Sequence, residues 1–521
     1  GSISSCTNRA SVNTLAADGQ SGLSDFDDVS PDAEIVLDFT AALDAATVEA
    51  NIYLLDAGGA KVDASDVYDG AKRVTLKPSA GLNAYASYRL IVDSGLKSAA
   101  GEAILTGKVI RIRTGLDTSD KFPQISDEEL LTKVQQQTFR YFWEGAEPTS
   151  GMARERTSSG ATVTTGGTGF GVMAMTVAAE RGFVTRSEAC QRVQRIVTFL
   201  AERATSYHGA FSHWIDGQTG QTLPFSADDN GADLVETGLL FQGLLTARAY
   251  FDGADAAESK LRADITALWE AVEWDFFTKE GTEKVLYWHW SPDKGWAMNM
   301  PIQGWNEALI VYVLAASSPT HPIGREVYAE GWARGGAMRN GKLFYDTVLP
   351  LGEDYGGPLF WAQYSFLGLN PRGLSDAYAD YWEQVCNHTR INYAYCVDNP
   401  KGYAGYGADC WGLTASDIPD GYTASSPTND RGVIAPTAAL SSMPYTPDES
   451  MAALRFFYYK LGDKLWSDYG FIDAFDLTTG WFDRGMHIAI DQGPIVVMIE
   501  NYRTGLPWNL FMSDKDVQRG L

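Results

Sequence analysis

From Asp127 to the C-terminus two kinds of helical segment alternate, and this alternation restricts the fold more than any single motif. One kind carries a single apolar stripe among charges, as in 187–203 (SEACQRVQRIVTFLAER), 256–277, 375–396 and 447–461. The other is apolar or small on nearly every side: 169–179, 231–249, 304–316, 358–369, 432–442 and 491–499. A striped helix lies on a surface, whereas one apolar all round is enclosed. The six enclosed segments recur at roughly 55–75 residues, with striped helices between them and another at 127–142 to close the circle. The pattern predicts a mainly α fold, an (α/α)6 barrel of inner and outer helices, with an irregular α-solenoid as the alternative. Connections entering the inner segments are long and rich in Gly, aromatics and charge, among them GMARERTSSGATVTTGG, SHWIDGQTGQTLPFSADDNG and YWHWSPDKGWAMNMPIQG. Those leaving are mostly brief. The long loops would gather at one rim, where function concentrates.

The preceding sequence has a different period. Residues 27–115 alternate apolar and polar positions between Gly, Asp and Pro turns, which predicts a small all-β sandwich. Residues 1–26 read as a tail, 116–126 (LDTSDKFPQIS) as a linker, and 127–521 as the barrel. The stretches LDFTAALDAATV, LKPSAGLNAYASYRLIV and IRIRTG resemble bacterial immunoglobulin-like modules, which serve as spacers. The start, GSISSCTNRA, resembles the end of a bacterial lipoprotein signal, with Cys6 as the lipidated residue. That reading leaves four cysteines, of which Cys396 and Cys410 could pair in an oxidising compartment. It leads to the expectation of a lipoprotein in the periplasm or on the outer membrane of a Gram-negative bacterium. The plainer alternative is an idle thiol in a tail.

A net charge of −25 without any basic run argues against nucleic acid and acidic lipid surfaces. The longest clean apolar run, ALIVYVLAA at 308–316, is too short to span a bilayer. Membrane association is therefore expected only through Cys6. Fifteen Trp and 25 Tyr supply flat amphipathic rings suited to sugar faces as well as to cores. Nothing in the composition speaks to oligomeric state.

In ADDNGADLVETG (227–238), Asp229, Asp233 and Glu236 fall at i, i+4 and i+7, and on a helix the same stripe continues through Leu240 and Leu244. A stripe that enters the core but begins with three acids is expected where an inner helix emerges at the rim. The bland alternative is helix capping, with Asp228 as a plain N-cap and the acids of the first turn stabilising the helix dipole. Two further inner helices open in the same way: GWNEALIVYVLAA with Trp305 and Glu307, and HIAIDQGPIVVMIENYR with Asp491 and Gln492. Glu307, beside an aromatic and away from cations, should hold its proton to higher pH, as a general acid must. Asp491 at a helix N-terminus should stay ionised and orient water. The six histidines show no paired-ligand spacing and no GxSxG occurs, so no metal or other cofactor is expected. Carboxylates in an aromatic cleft point to hydrolysis of an oligo- or polysaccharide.

The stretches GWNEALIVYVLAASSPTHPI, FWAQYSFLGLNPRG, WGLTASDIPDGY and DQGPIVVMIENYRTGLPW resemble glycoside hydrolase family 144, the "glucoamylase-like" family, over roughly residues 125–521. The resemblance implies an (α/α)6 barrel acting on β-1,2-glucan, either cutting internally or releasing sophorose from the non-reducing end. It matches Asp229, Asp233 and Glu236 to the family's acidic cluster, and Glu307 and Asp491 to its W/Y-N-E glutamate and DQG aspartate. An inverting reaction with Glu307 as acid and Asp491 as base is the expectation. Arg156 in ARERT, Trp305, Tyr364, Trp411, Asp417 and Gln492 are candidate substrate contacts, with core packing as the alternative for the aromatics. Rival readings are an α-glucan glucoamylase and a surface lipoprotein that binds glycan without cleaving it. A polysaccharide lyase would need basic residues to neutralise a uronate, and these rim motifs are acidic.

Overall fold

The computed structural model describes residues 9–521, so Cys6 and its lipidation lie outside the described residues. The first unit is a sandwich of nine strands, β1 (Val12–Ala17), β2 (Gln20–Gly22), β3 (Phe26–Val29), β4 (Ile35–Phe39), β5 (Ile52–Leu55), β6 (Ala64–Tyr68), β7 (Arg73–Pro78), β8 (Ser87–Val92) and β9 (Lys108–Thr114). One turn of helix, α1 (Val48–Asn51), leads into β5. The strands form two sheets, β2-β1-β4-β7-β6 and β3-β9-β8-β5, antiparallel except where β3 runs parallel to β9. Alternate residues point inward, so Leu15, Leu37, Val74 and Leu76 pack with Leu54, Leu90, Ile110 and Ile112. The sandwich begins at Val12 rather than at 27. A bulge between Val12 and Thr14 breaks the strict alternation of β1, which hides the strand from a period-2 reading.

The second unit holds the remaining helices: α2 (Asp127–Trp143), α3 (Thr165–Arg181), α4 (Arg186–Glu202), α5 (Leu234–Tyr250), α6 (Ala256–Ala271), α7 (Leu309–Ser317), α8 (Tyr381–Asp398), α9 (Pro436–Leu440), α10 (Pro447–Arg455), α11 (Gly462–Leu465), α12 (Ala489–Arg503), α13 (Leu506–Met512) and α14 (Lys515–Gly520). Four of the outer helices, α2, α4, α6 and α8, are set by side-chain caps. Ser126 accepts the Glu129 N–H, Asp255 that of Glu258 and Asp380 that of Glu383, while Thr185 and Glu188 form a full capping box. Inner helices are set by enclosure: α3 is buried from Thr165 to Ala178 and α5 from Leu234 to Ala247. They cross where Gly169 meets Gly243, and a Cβ on Gly243 would stand 2.1 Å from the Gly169 carbonyl oxygen.

The inner ring passes from α3 to α5 to α7, and from α9 to α12 and back to α3. The fourth member, expected as a helix over 358–369, is instead two short 3-10 turns, Leu359–Ala362 and Tyr364–Phe366. The fifth shrinks to the five residues of α9. Amide side chains satisfy the backbone groups that this irregularity frees. Gln242 of α5 donates to the Tyr364 carbonyl at 2.8 Å and accepts the Gly368 N–H at 2.9 Å, while Gln363 donates to the Ala438 carbonyl and to Ser442. After α7 the chain makes a wide helical turn, Val327–Trp332, and then a short 3-10 turn, Arg334–Gly336. Cys190, Cys386, Cys396 and Cys410 are buried free thiols, so Cys396 and Cys410, whose pairing the sequence left open, are not bridged. Among the described residues no helix is long and apolar enough to cross a membrane.

Candidate active site

The acids of 227–238 converge, but not as a helical stripe. Only Glu236 is inside α5. Asp233 is its N-cap, with Oδ1 accepting the Glu236 N–H at 2.9 Å, and Asp229 sits in the preceding loop. A two-residue ladder pairing Ala232–Asp233 with His289–Trp290 fixes that approach. A side-chain cap is present at α5, supplied by Asp233 and not by Asp228, and absent at α7 and α12, although Asp491 does lie in the first turn of α12 where the helix dipole favours an acid.

Two histidines complete the cluster. His213 places Nε2 3.3 Å from Glu236 Oε1 and Nδ1 3.7 Å from Asp233 Oδ2. His289 Nε2 lies 3.4 Å from Asp229 Oδ2 and 3.9 Å from Asp233 Oδ2. Burial pushes His289 down to about 4, so it is neutral near pH 7. Burial likewise raises Asp229, Asp233 and Glu236. Glu236 is also held by the Thr164 hydroxyl at 3.2 Å and packs directly on Gly166, where a Cβ would lie 2.4 Å from Oε2. Sequence spacing missed both histidines. The available signal was their setting in SHWIDG and YWHWSPDKG, each beside Trp in a loop bordering α5.

Glu307 lies just before α7, partly exposed, and its carbonyl accepts a hydrogen bond from the Ser365 hydroxyl. Burial, with a smaller push from Glu236, raises its carboxyl to about 7. It lines a cleft of ≈ 390 Å³ with Trp288, Phe360 and Trp361, rings that the sequence reading did not single out. Asp491, in the first turn of α12, is 1% exposed and accepts the Tyr364 hydroxyl on Oδ1 at 3.2 Å. Its carboxyl is raised, not held low as its helix position suggested. Burial outweighs the helix dipole, and hydrogen bonds from Asp473 and Tyr364 offset only part of the rise.

The other candidates divide. Arg156 binds Asp417 through Nη1 at 3.0 and 3.2 Å and Glu155 through Nε at 2.8 Å, so it pairs with acids of the site. Tyr364 positions Asp491 from a buried place between Phe170 and Phe360. Trp411 is fully buried and donates to the Glu449 carbonyl at 3.1 Å, which makes it a core residue and not a sugar platform. Gln492, also buried, donates to the Tyr469 carbonyl at 2.9 Å and holds a rim loop. Trp305 is 5% exposed and stacks on Tyr381 and Phe366, so it shapes the wall behind Glu307.

Donor atoms of His213, Asp229 and Asp233 lie within 4.8 Å of one another, near enough to share a cation. The oxygens of Asp417, Asp473 and Asp483 crowd equally closely, with the Arg156 guanidinium already on Asp417 as their cation.

Comparison with known proteins agrees with this architecture. The family model described as "Putative glucoamylase" matches residues 299–515, and that of a "Bacterial Ig-like domain" matches 18–111. The exo beta-1,2-glucooligosaccharide sophorohydrolase (non-reducing end) of Parabacteroides distasonis is 48% identical over 418 residues, 76% of this chain; the chain spans 58% of that relative's length. The endo-beta-1,2-glucanase of Chitinophaga pinensis, solved with sophorotriose and glucose, is 51% identical with a TM-score of 0.75, covering 76% of this chain and 98% of that one. A beta-1,2-glucanase structure from P. distasonis is 39% identical with a TM-score of 0.74 and covers 98% of this chain and 73% of that one. On these likenesses the chain belongs to glycoside hydrolase family 144, the glucoamylase-like family, and carries a bacterial immunoglobulin-like domain ahead of its barrel.

Proposed function

We propose that this chain hydrolyses β-1,2-linked glucooligosaccharides with inversion, releasing sophorose. The observation that carries the reading is that carboxyls stand at the starts of three inner helices, with Glu307 lining an aromatic cleft close enough to feel the charge of Glu236. In this reading Glu307, with its carboxyl near 7, is half protonated at neutral pH and protonates the departing glycosidic oxygen. Asp491 takes a proton from the water that attacks the anomeric carbon. Asp229, Asp233 and Glu236, with His213 and His289, hold sugar hydroxyls, and Trp288, Phe360 and Trp361 offer ring faces. The named relatives that act on β-1,2-linked glucan support the substrate class.

A digest panel of β-1,2-, β-1,3-, β-1,4- and α-1,4-glucans with product sizing tests this. Sophorose from sophorooligosaccharides, with starch untouched, is expected. Glucose from maltooligosaccharides alone would favour a glucoamylase, and binding without cleavage a glycan-binding protein. We also propose export with Cys6 as a lipid attachment point, a reading supported by the SISSC motif. An unlipidated full-length product in the cytoplasm, by intact mass, would overturn it.

A further inference from the structure

Three carboxylate oxygens buried in the site have no hydrogen-bond donor, Asp483 Oδ2, Asp473 Oδ1 and Asp491 Oδ2. Of these residues Asp473 and Asp491 are at most 2% exposed. Their other oxygens are committed: Asp473 Oδ2 accepts the Asp417 N–H at 2.9 Å, and Asp491 Oδ1 accepts the Tyr364 hydroxyl at 3.2 Å. The two carboxyls nevertheless contact one another as hydrogen-bonding groups. Ionised carboxylates only accept, so such a contact needs one proton between them. Among the described residues no cation is paired with either carboxyl, and Arg156 is spent on Glu155 and Asp417. The remaining neighbours, Glu155, Asp417 and Asp483, are acidic, and the phenols of Tyr364 and Tyr422 are held far above their ordinary value.

We propose that Asp473 is a positioning residue that keeps a proton and donates it in a hydrogen bond to Asp491 Oδ2. Each of the pair has one further donor, but the proton belongs on Asp473 because its oxygens crowd those of Asp417 and Asp483, like charges that disfavour its ionised form. The bond locks the Asp491 carboxylate in one orientation and holds it ionised within a buried acidic patch. The inference rests on the reading of Asp491 as the base.

The test uses the full chain and three variants. Asparagine mimics a protonated aspartate, its amide N–H donating to Asp491 and its oxygen accepting from Asp417. Asp473→Asn should therefore recover most of the kcat that Asp473→Leu loses, a loss of about 10²-fold from a misplaced base. The acid limb of kcat should move to higher pH in Asp473→Leu, whose Asp491 lacks its donor, and stay in place in Asp473→Asn, with KM little changed in either. Infrared difference spectra of wild type minus Asp473→Asn, taken at neutral pH without substrate, should show one protonated-carboxyl band. Absence of that band, or Asp473→Asn as inactive as a folded Asp473→Leu, would overturn the proposal. So would loss of activity with a chelator and its rescue by Ca²⁺, which would put a cation between the carboxyls. An Asp491→Asn enzyme with normal kcat would remove the base reading alone, since the infrared band reports the proton without turnover.

Discussion

Glu307 and Asp491 differ in what their surroundings allow. Glu307 is partly open to the cleft and near 7, while Asp491 is enclosed and held by Tyr364. Replacing either by its amide removes the carboxylate and keeps size and shape, so Glu307→Gln and Asp491→Asn should fold and lose about 10²–10⁴-fold in kcat. An aryl sophoroside whose leaving group needs no protonation separates the roles: it should restore Glu307→Gln and leave Asp491→Asn inactive. Because the acid must carry its proton, activity should fall as pH rises through about 7, and a pH–rate profile reads that limb directly. Asp233→Asn should raise KM as well as lower kcat, since it loosens contacts that hold substrate. If acid and base flank a water, their separation in a substrate complex should be about 6.5–9.5 Å and the product anomer inverted, which NMR of the first product shows.

At the scale of elements, the site depends on how closely α3 and α5 approach. Gly243 lies against the Gly169 backbone, which cannot step aside, so Gly243→Ala should destabilise the barrel by about 1–3 kcal/mol in denaturant melts. Gly166 lies against a side-chain oxygen instead. Gly166→Ala should push Glu236 off its position, lowering kcat/KM more than stability, and the ratio of the two effects distinguishes the glycines. The caps divide along the same line. The outer helices α2, α4, α6 and α8 start on caps readable as Ser, Thr or Asp followed three residues later by Glu, and their expected and observed starts agree closely except at α8. The inner turns over 359–366 have no such local signature, because they are held by Gln242 and by Gln363 bonding to Ser442 across the ring.

For the molecule as a whole, burying so many carboxyls sets a pH dependence of stability. A carboxyl raised on folding binds more protons folded than unfolded above its unfolded value, so stability falls as pH climbs from about 4.5 to 7. Glu307→Gln should accordingly raise Tm at pH 8 and leave it unchanged at pH 4.5, as scanning fluorimetry reads. His289 works in the opposite sense: its value drops on folding, so the stability it lends is full above about 6.5 and lost as pH falls toward 4.

The mainly α barrel and the β-sandwich before it were legible because burial periodicity is local: a helix enclosed on all sides or a strand with one dry face shows it within its own residues. The same holds for the acids at α5, α7 and α12, which mark where inner helices emerge. What the spacing could not convey is which groups meet. Arg156 and Asp417 are 261 residues apart, Tyr364 and Asp491 127, and Asp417 and Asp473 56. Closing the ring brings them together, and with them His213 and His289. It also decides charge: Asp491 reads in sequence as a helix-terminal acid that should stay ionised, and only its burial raises its carboxyl. Trp411 shows the converse, a ring suited to sugar in composition that the packed barrel buries completely. Periodicity is a property of neighbours along the chain, whereas desolvation and proton sharing depend on neighbours across it.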